Sequence, residues 1–207
     1  KTNEQGIAKF KLPYGKYKYK ETIAPNGYVI NEETFAFEIK ENGEIIKHIV
    51  QDKKVEGELE ITKVDVADGN TKLPNAEFTI YNEQGKEVVK GKTNEQGIAK
   101  FKLPYGKYKY KETIAPNGYV INEETFAFEI KENGEIIKHI VQDKKVEGEL
   151  EITKVDVADG NTKLPNAEFT IYNEQGKEVV KGKTNEQGIA KFKLPYGKYK
   201  YKETIAP

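Results

Sequence analysis

Apolar and polar side chains alternate over short stretches of this chain, which is the pattern of β-strands that bury one face. Ala76, Phe78 and Ile80, for example, fall on one face of a single predicted strand. The same pattern predicts strands at residues 58–64, 76–81, 86–90, 98–103, 108–112, 125–131 and 136–143. Asn and Gly predict a turn at Asn82–Gly85 and a β-hairpin at Glu132–Glu135. No stretch has the period of an amphipathic helix, so we expect an all-β sandwich fold.

The chain repeats itself at a fixed interval. The sequence Lys1-Thr-Asn-Glu-Gln-Gly recurs at Lys92 and at Lys183, with a period of 91 residues and identical copies throughout. A unit of this length can bury its own core, so the repeat predicts tandem β-sandwich domains. We expect residues 1–55 to be the C-terminal part of one repeat, 56–147 a complete repeat and 148–207 the N-terminal part of another. The connections between repeats are expected to be very short and to lie around residues 144–148.

Composition argues against several classes of function. The 34 basic residues are all Lys and balance 34 acidic residues, so neither nucleic acid nor anionic lipid is an expected partner. Ser, Cys and Arg are absent, which removes serine and thiol nucleophiles and the bidentate phosphate clamp. His48 and His139 stand alone in their copies, so we expect no metal and no cofactor. No apolar run approaches the roughly 20 residues of a membrane-spanning helix.

Three ionisable residues occupy positions where the alternation predicts buried side chains. Glu112 falls on the face of its strand that carries Tyr110, and Lys63 falls on the apolar face of the first strand. Asp143 faces inward with Val141 if no bulge shifts the register of the last strand, whose alternation is weak. Each residue alone has an ordinary explanation, because a strand Lys can extend its amine to solvent and a Glu can cap a loop. A buried acid nevertheless needs a partner or a proton, so the three residues predict one shared site.

The chemistry expected of such a site follows from desolvation. Water favours a Lys–Asp ion pair, whereas an apolar interior disfavours both charges. A neutral amine is a nucleophile, and a protonated carboxyl group is open to its attack. Glu112 is the expected proton shuttle for attack of Lys63 on Asp143, and fixed proximity makes the condensation feasible. The predicted product is an isopeptide bond between Lys63 and Asp143, formed once per domain with loss of water.

Three motifs carry a resemblance to a known family. Ile61-Thr-Lys-Val-Asp65, Leu73-Pro-Asn-Ala-Glu-Phe78 and Tyr110-Lys-Glu-Thr-Ile-Ala-Pro-Asn-Gly-Tyr119 resemble the B-type repeat domain of Gram-positive collagen adhesins, the Cna B-type domain. The resemblance covers the complete repeat and both partial ones. It implies a prealbumin-like, immunoglobulin-like β-sandwich in which the first-strand Lys is joined to an Asn or Asp of the last strand, promoted by the Glu of the third motif. Those residues are Lys63, Asp143 and Glu112, and Asp143 stands where many relatives have Asn.

The resemblance implies a structural function at the bacterial cell surface. We expect a stalk or spacer of cross-linked repeats in an extracellular adhesin or fibre, with neighbouring identical repeats as partners and cell-wall anchoring through other regions. The chain is not expected to be an enzyme, because the only reaction implied consumes its own side chains. The alternative is that the repeats themselves bind a host or matrix ligand. A solvated polar loop at residues 65–73 and exposed aromatic side chains at Tyr105 and Tyr119 are the candidates for that alternative.

Each partial repeat holds an incomplete set of these site residues. Glu21 and Asp52 have no matching Lys before them, and Lys154 and Glu203 have no matching acid after them. One hypothesis is head-to-tail complementation between chains, in which Lys154 of one chain joins Asp52 of another. The alternative is that these residues belong to a longer array in which each repeat is complete.

Overall fold

The regular structure of the protein consists of β-strands. A computed structural model describes all 207 residues, which we divide into a leading segment (residues 1–55), a central segment (56–147) and a trailing segment (148–207). The strands are β1 (Gly15–Lys20), β2 (Tyr28–Val29), β3 (Thr34–Ile39), β4 (Lys53–Lys54), β5 (Glu56–Asp65), β6 (Glu77–Asn82), β7 (Glu87–Lys92), β8 (Ile98–Pro104), β9 (Gly106–Ile114), β10 (Tyr119–Val120), β11 (Thr125–Ile130), β12 (Ile136–Lys145), β13 (Glu147–Thr153), β14 (Glu168–Asn173), β15 (Glu178–Lys183), β16 (Ile189–Pro195) and β17 (Tyr199–Ile205). No helix has the length and hydropathy needed to cross a bilayer.

Two four-stranded sheets make up the central segment. One has the strand order β10-β12-β5-β8 and the other has the order β11-β9-β6-β7. Both sheets contribute to one apolar core, which includes Leu59, Phe78, Phe101, Tyr110 and Ile130. Alternate residues of each strand enter this core because successive side chains of a strand point to opposite faces. The all-β sandwich expected from the alternation is therefore confirmed.

Strand β5 runs along the middle of the first sheet. Its buried positions alternate through Leu59, Ile61 and Lys63, and the strand then continues to Asp65, which is also buried. Leu73 is buried as well, so the loop predicted to be solvated at residues 65–73 is exposed at 66–72 but buried at its two end residues. The physical reason is that β5 remains paired with β12 as far as Asp65, and pairing keeps this end of the loop inside the sandwich.

Strand β12 lies parallel to β5 with an unbroken register. The pairing begins at Ile136 opposite Glu58 and ends at Asp143 opposite Asp65, without a bulge. Val141 and Asp143 therefore share the buried face. The alternation of this strand is weak in the sequence because the large apolar residues Ile136 and Ile140 lie on its exposed face.

The turn at Glu132–Glu135 joins the two sheets and does not form a β-hairpin. Its flanking strands β11 and β12 belong to opposite sheets, so the hairpin prediction is wrong. The turn instead packs on the start of β5, where Gly134 N donates to Glu56 O at 2.8 Å and Glu58 N donates to Glu135 O at 2.9 Å. An Asn-Gly turn reverses the chain locally, but contacts elsewhere decide which strand the returning chain pairs with.

The leading and trailing segments contain fewer paired strands. The leading segment has the pairs β1–β3 and β2–β4, and the trailing segment has a β13–β16 pair and a three-stranded β15-β14-β17 sheet. Several residues that are buried in the central segment are consequently exposed in one of the other copies. Phe101 is 4% exposed whereas the identical Phe10 is 76% exposed, and Tyr110 is 0% exposed whereas the identical Tyr201 is 56% exposed.

Candidate functional site

Lys63, Glu112 and Asp143 meet inside the sandwich of the central segment. Their side chains have no solvent-accessible surface. The Lys63 amine lies 3.1 Å from Glu112 Oε1 and donates a hydrogen bond to Asp143 Oδ1. Lys63 comes from β5, Glu112 from β9 and Asp143 from β12, so the site joins both sheets and the first and last strands of the segment. The structure thus places the three residues of the complete repeat together.

The backbone around Lys63 is held from two sides. Lys63 N donates to Gly97 O at 2.8 Å, and Lys63 O accepts from Leu73 N at 3.0 Å. A β-carbon on Gly97 would lie 2.7 Å from Lys63 O, so only Gly permits this close approach. The ring of Phe78 lies 5.6 Å from the Lys63 Nζ and closes one side of the pocket. The amine is therefore fixed next to both acids and separated from water.

Glu112 is positioned by a change of register between β6 and β9. The pairing shifts between Glu77 and Phe78, so that Phe78 lies opposite Glu112. Glu112 Oε2 accepts a hydrogen bond from Asn122 N at 2.8 Å, which leaves Oε1 directed at the amine. Burial raises the pKa of Glu112 above its ordinary value, and the Asn122 N–H and the Lys63 charge offset only part of that rise. Glu112 therefore tends to keep a proton where an exposed Glu would lose it.

Asp143 has the same tendency for the same reason. Burial raises its pKa above the ordinary value, and the hydrogen bond and charge of Lys63 offset the rise only in part. Its second oxygen, Oδ2, is buried without a hydrogen-bond partner, and Glu112 Oε1 has only its 3.1 Å contact with the Lys63 amine. Buried acid oxygens with so few partners are costly when both acids are charged. The arrangement consequently favours protonation of at least one acid, which is the state that nucleophilic attack requires.

A second polar cluster, which the sequence interpretation missed, lies beside the site. Buried Asp65 accepts hydrogen bonds from Ala67 N at 2.8 Å and from the Tyr119 hydroxyl at 3.0 Å, and pairs with Lys145 at 3.2 Å. The Ala67 N–H holds the pKa of Asp65 below its ordinary value, although burial opposes this. Burial and the hydrogen bond to Asp65 raise the pKa of Tyr119 to about 12. The only sequence signal for this cluster is the position of Asp65 and Tyr119 at the ends of two motifs.

The two tyrosines predicted to be exposed have intramolecular contacts. Tyr119 is half-buried and bonded to Asp65. Tyr105 is half-buried, packs against the core and faces Gly27 of the leading segment. The prediction that these aromatic side chains are exposed is therefore wrong. The contact with Asp65 covers part of Tyr119, and the core and Gly27 cover part of Tyr105.

Equivalent residues of the partial repeats lie in incomplete versions of the site. Lys154 Nζ is 2.9 Å from Glu203 Oε2, and both side chains are about 30% exposed. Glu21 keeps the loop contact of Glu112, because its Oε2 accepts from Asn31 N at 2.8 Å. Burial and the neighbouring Glu21 raise the pKa of Asp52 above its ordinary value. Each partial repeat thus preserves the local geometry of the residues it contains.

The two histidines lie apart from the acids. His139 Nδ1 is 2.9 Å from the Tyr110 hydroxyl, and His48 makes the same contact with Tyr19. No group of three or more His, Cys, Asp or Glu residues is arranged to hold a metal ion. These histidines complete the packing of buried or half-buried tyrosines.

Solved structures of known proteins are similar to this chain. The TIE protein of Bacillus anthracis matches 99% of the chain at 80% identity with a TM-score of 0.88, and the chain spans 39% of that protein's length. BcpA, the major pilin subunit of Bacillus cereus, matches 73% of this chain and 89% of its own at 18% identity and a TM-score of 0.40. GBS52, the minor pilin of Streptococcus agalactiae, matches 70% of this chain and 66% of its own at 25% identity and a TM-score of 0.40. No curated protein sequence matches significantly.

A family model matches nearly the whole chain in three consecutive pieces. The model describes the SpaA prealbumin-like fold domain and matches residues 1–54, 57–145 and 148–207. The three matches follow the repeat, and the sheet structure agrees with the fold that the model describes. The chain therefore belongs to the SpaA prealbumin-like fold domain family.

Proposed function

We propose that this chain is a structural spacer of a bacterial surface protein, made of Cna B-type domains that each cross-link themselves. Residues 56–147 form the complete domain, with Lys63 and Asp143 as the residues to be joined and Glu112 as the promoting acid. The observation that carries the proposal is the contact of a fully buried Lys with two fully buried acids. A buried salt bridge is weak evidence for stability alone, so this arrangement calls for another explanation.

The proposed reaction is a condensation that needs no outside reagent. Proton transfer within the Lys63–Asp143 pair gives a neutral amine and a neutral carboxylic acid. The Nζ lone pair then attacks Asp143 Cγ, while the carbonyl electrons move onto oxygen and Glu112 stabilises that oxygen with its proton. Glu112 next carries a proton from nitrogen to the departing hydroxyl group, so that one water leaves and Glu112 returns to its starting state. One C–N bond forms, one C–O bond breaks, and no group is oxidised or reduced.

Two features of the site lower the barrier of this reaction. Attack within a fixed pair benefits from an effective concentration on the order of 10⁵ M or more. Burial raises the pKa values of Glu112 and Asp143, which supplies the proton donor and the neutral acceptor. Strands β5 and β12, which carry Lys63 and Asp143, pair in parallel without a bulge as far as Asp143. This continuous register holds the amine next to the acid. The reaction occurs once per domain, so the protein is not an enzyme in the sense of turnover.

A cross-link at this place suits a mechanical role outside the cell. It joins residues that are 80 positions apart in the sequence. By analogy with a disulfide that closes a loop of this size, it stabilises the fold by about 4.5 kcal/mol. The chain has no Cys, so an amide cross-link would take the place of the disulfides common in extracellular proteins. Neighbouring repeats along the chain are the proposed partners, and a Gram-positive cell surface is the proposed location.

Intact mass spectrometry tests the cross-link directly. The chain is expected to weigh one water less than its sequence mass, and a digest should contain a branched peptide that joins Lys63 to Asp143. Glu112→Ala is expected to restore the full sequence mass because no proton shuttle remains. The repeat supplies a matched control in Glu21→Ala, which changes the equivalent Glu where no Lys is present and should leave the loss of water intact. A full sequence mass for the unmodified chain would refute the proposal.

The leading and trailing segments are proposed to complement each other between chains. Together they contain Lys154 and Asp52, and either Glu203 or Glu21 can supply the Glu that completes one site. Several of their exposed apolar residues, including Phe10, Leu12 and Tyr201, have buried equivalents in the central segment, so pairing of the segments removes apolar surface from water. The proposed product is a Lys154–Asp52 bond between two copies of the chain, with one copy of the shared 25-residue sequence displaced.

Incubation of the purified chain at increasing concentration tests this pairing. We expect a ladder of covalent multimers on a denaturing gel, since each chain offers one Lys154 and one Asp52. Lys154→Met should abolish the ladder, whereas the mass loss of the central segment should persist in that variant. Monomer alone at high concentration would contradict the complementation and would leave the internal cross-link untouched.

A further inference from the structure

Successive repeats are connected by a single residue that is bonded on both sides. Val146 stands between the end of β12 at Lys145 and the start of β13 at Glu147. Its N–H donates to Gly118 O of the central segment at 2.9 Å, and its carbonyl accepts from Tyr196 N of the trailing segment at 2.7 Å. Both backbone polar groups of the connection are thus paired, one with each repeat. A flexible linker would leave these groups to water.

One side of the Tyr196 ring lies against the glycine of the preceding repeat, while 57% of the residue surface stays exposed. A β-carbon on Gly118 would lie 2.5 Å from Tyr196 Cδ1, so no larger residue fits at this distance. Gly118 also has a φ of +84°, which favours Gly independently of the space. The Tyr196 hydroxyl accepts a hydrogen bond from Asn117 Nδ2 at 3.0 Å. The tyrosine therefore contacts the loop through its ring and through its hydroxyl group.

The first junction of the chain repeats this arrangement. Val55 N donates to Gly27 O at 2.9 Å, and Tyr105 N donates to Val55 O at 2.9 Å. A β-carbon on Gly27 would lie 3.0 Å from Tyr105 Cδ1. Val55 is buried in the core of the central segment. Both junctions thus use the same loop, connector and tyrosine, although the segments on either side differ in completeness.

We propose that the Pro116–Tyr119 loop is a docking site for the next copy of the repeat, and that it holds successive domains at a fixed angle. Tyr196 is the residue that the loop recognises, and Gly118 is the residue that admits it. The loop is itself rigid, since Pro116 O accepts from Tyr119 N at 3.1 Å and the Tyr119 hydroxyl is bonded to Asp65. Contacts between domains of one chain are often weak and permit relative motion. A connector with no free backbone group removes that freedom.

The contact between repeats that Gly118, Val146 and Tyr196 form, which we call the joint, is independent of the proposed cross-link. Gly118, Val146 and Tyr196 make no contact with the Lys63 amine, and they act between repeats, whereas the cross-link acts within one. A spacer needs both properties, because a covalent bond prevents unfolding but does not keep a chain of domains straight. The same Gly-Tyr sequence that ends the Glu112 motif thus serves a second purpose.

A distance measurement between spin labels tests the joint. The chain has no Cys, so Gln84→Cys and Gln175→Cys introduce two unique labels at the same exposed turn of successive copies. Pulsed electron paramagnetic resonance should give one narrow distance distribution for the otherwise unchanged chain. Gly118→Ala should broaden the distribution about twofold or more, because the added methyl group expels the Tyr196 ring.

Two matched controls separate the joint from general damage. Gly134 has a similar φ of +79° and nothing within 4 Å of a β-carbon, so Gly134→Ala carries the same backbone strain and should keep the narrow distribution. Tyr196→Ala should broaden it without altering the central segment, whereas Tyr14→Ala, at an equivalent tyrosine that is 77% exposed, should not. The mass loss at Lys63 should persist in all four variants. A narrow distribution in both Gly118→Ala and Tyr196→Ala, or a broad one in the unchanged chain, would overturn the proposal.

Discussion

Glu112→Gln is expected to lower the midpoint of thermal unfolding of the central segment by roughly 20 °C or more. The variant keeps the size of the side chain and its contact with Asn122 N, but it removes the group that exchanges protons with the reacting pair. Without the bond, the unfolded chain regains the entropy of an 80-residue loop, about 4.5 kcal/mol. For a domain of this size, each kcal/mol shifts the midpoint by about 4–8 °C.

Differential scanning calorimetry of the whole chain measures this shift, with the mass of each sample checked first. Glu21→Gln is the matched control, since its Glu occupies the same local structure without a Lys partner, and the high-temperature transition should stay in place. Lys63→Met is a second variant that cannot form the bond, because it removes the amine. Its unbranched apolar side chain fills the space that the Lys side chain occupied. If both Glu112→Gln and Lys63→Met unfolded at the temperature of the unchanged chain, the bond would contribute no stability.

Lys63 and Glu112 could be found from the sequence because each breaks an alternation, whereas the inward position of Asp143 depended on an unbroken register in a strand of weak alternation. A strand with Leu59 and Ile61 on one face puts the next residue of that face, Lys63, in the same environment. The same rule applies to Glu112 after Tyr110. Period-two patterns need only local information, and the structure buries all these positions.

Pairing between distant strands could not be found in this way. The sequence indicates a reversal at Glu132–Glu135, but the returning strand β12 pairs in parallel with β5 of the other sheet. Short strand β10 was not predicted, since its two residues show no alternation and it exists only through its pairing with β12. The Asp65–Tyr119 hydrogen bond joins residues 54 positions apart, and neither residue has a local signal for a partner. These features depend on how the sheets face each other, which no single stretch encodes.

The positions of the joint and of the candidate cross-link define one path for force. Tension reaches the central segment through Val55, the residue before it, and runs along β5 to Lys63, eight residues after Val55. The proposed bond transfers it to Asp143, and it leaves through Val146, three residues further on. Because β5 and β12 are parallel, the two ends of the path lie at opposite ends of the sheet and the strands are loaded in shear. The residues between Lys63 and Asp143 carry no load while the bond is intact.

Single-molecule pulling is therefore expected to give no unfolding step from the central segment of the cross-linked chain. Glu112→Gln should restore a step, because the 80 residues between the joined positions become free to extend by about 260–290 Å when fully stretched. Flanking marker domains of known length would identify the molecules in which the whole chain is held. Glu21→Gln should behave as the unchanged chain does, since its substitution lies outside the loaded loop. A step of this length in the chain that has lost one water would show that force bypasses the Lys63–Asp143 bond, and the spacer role would then have to rest on the sheets alone.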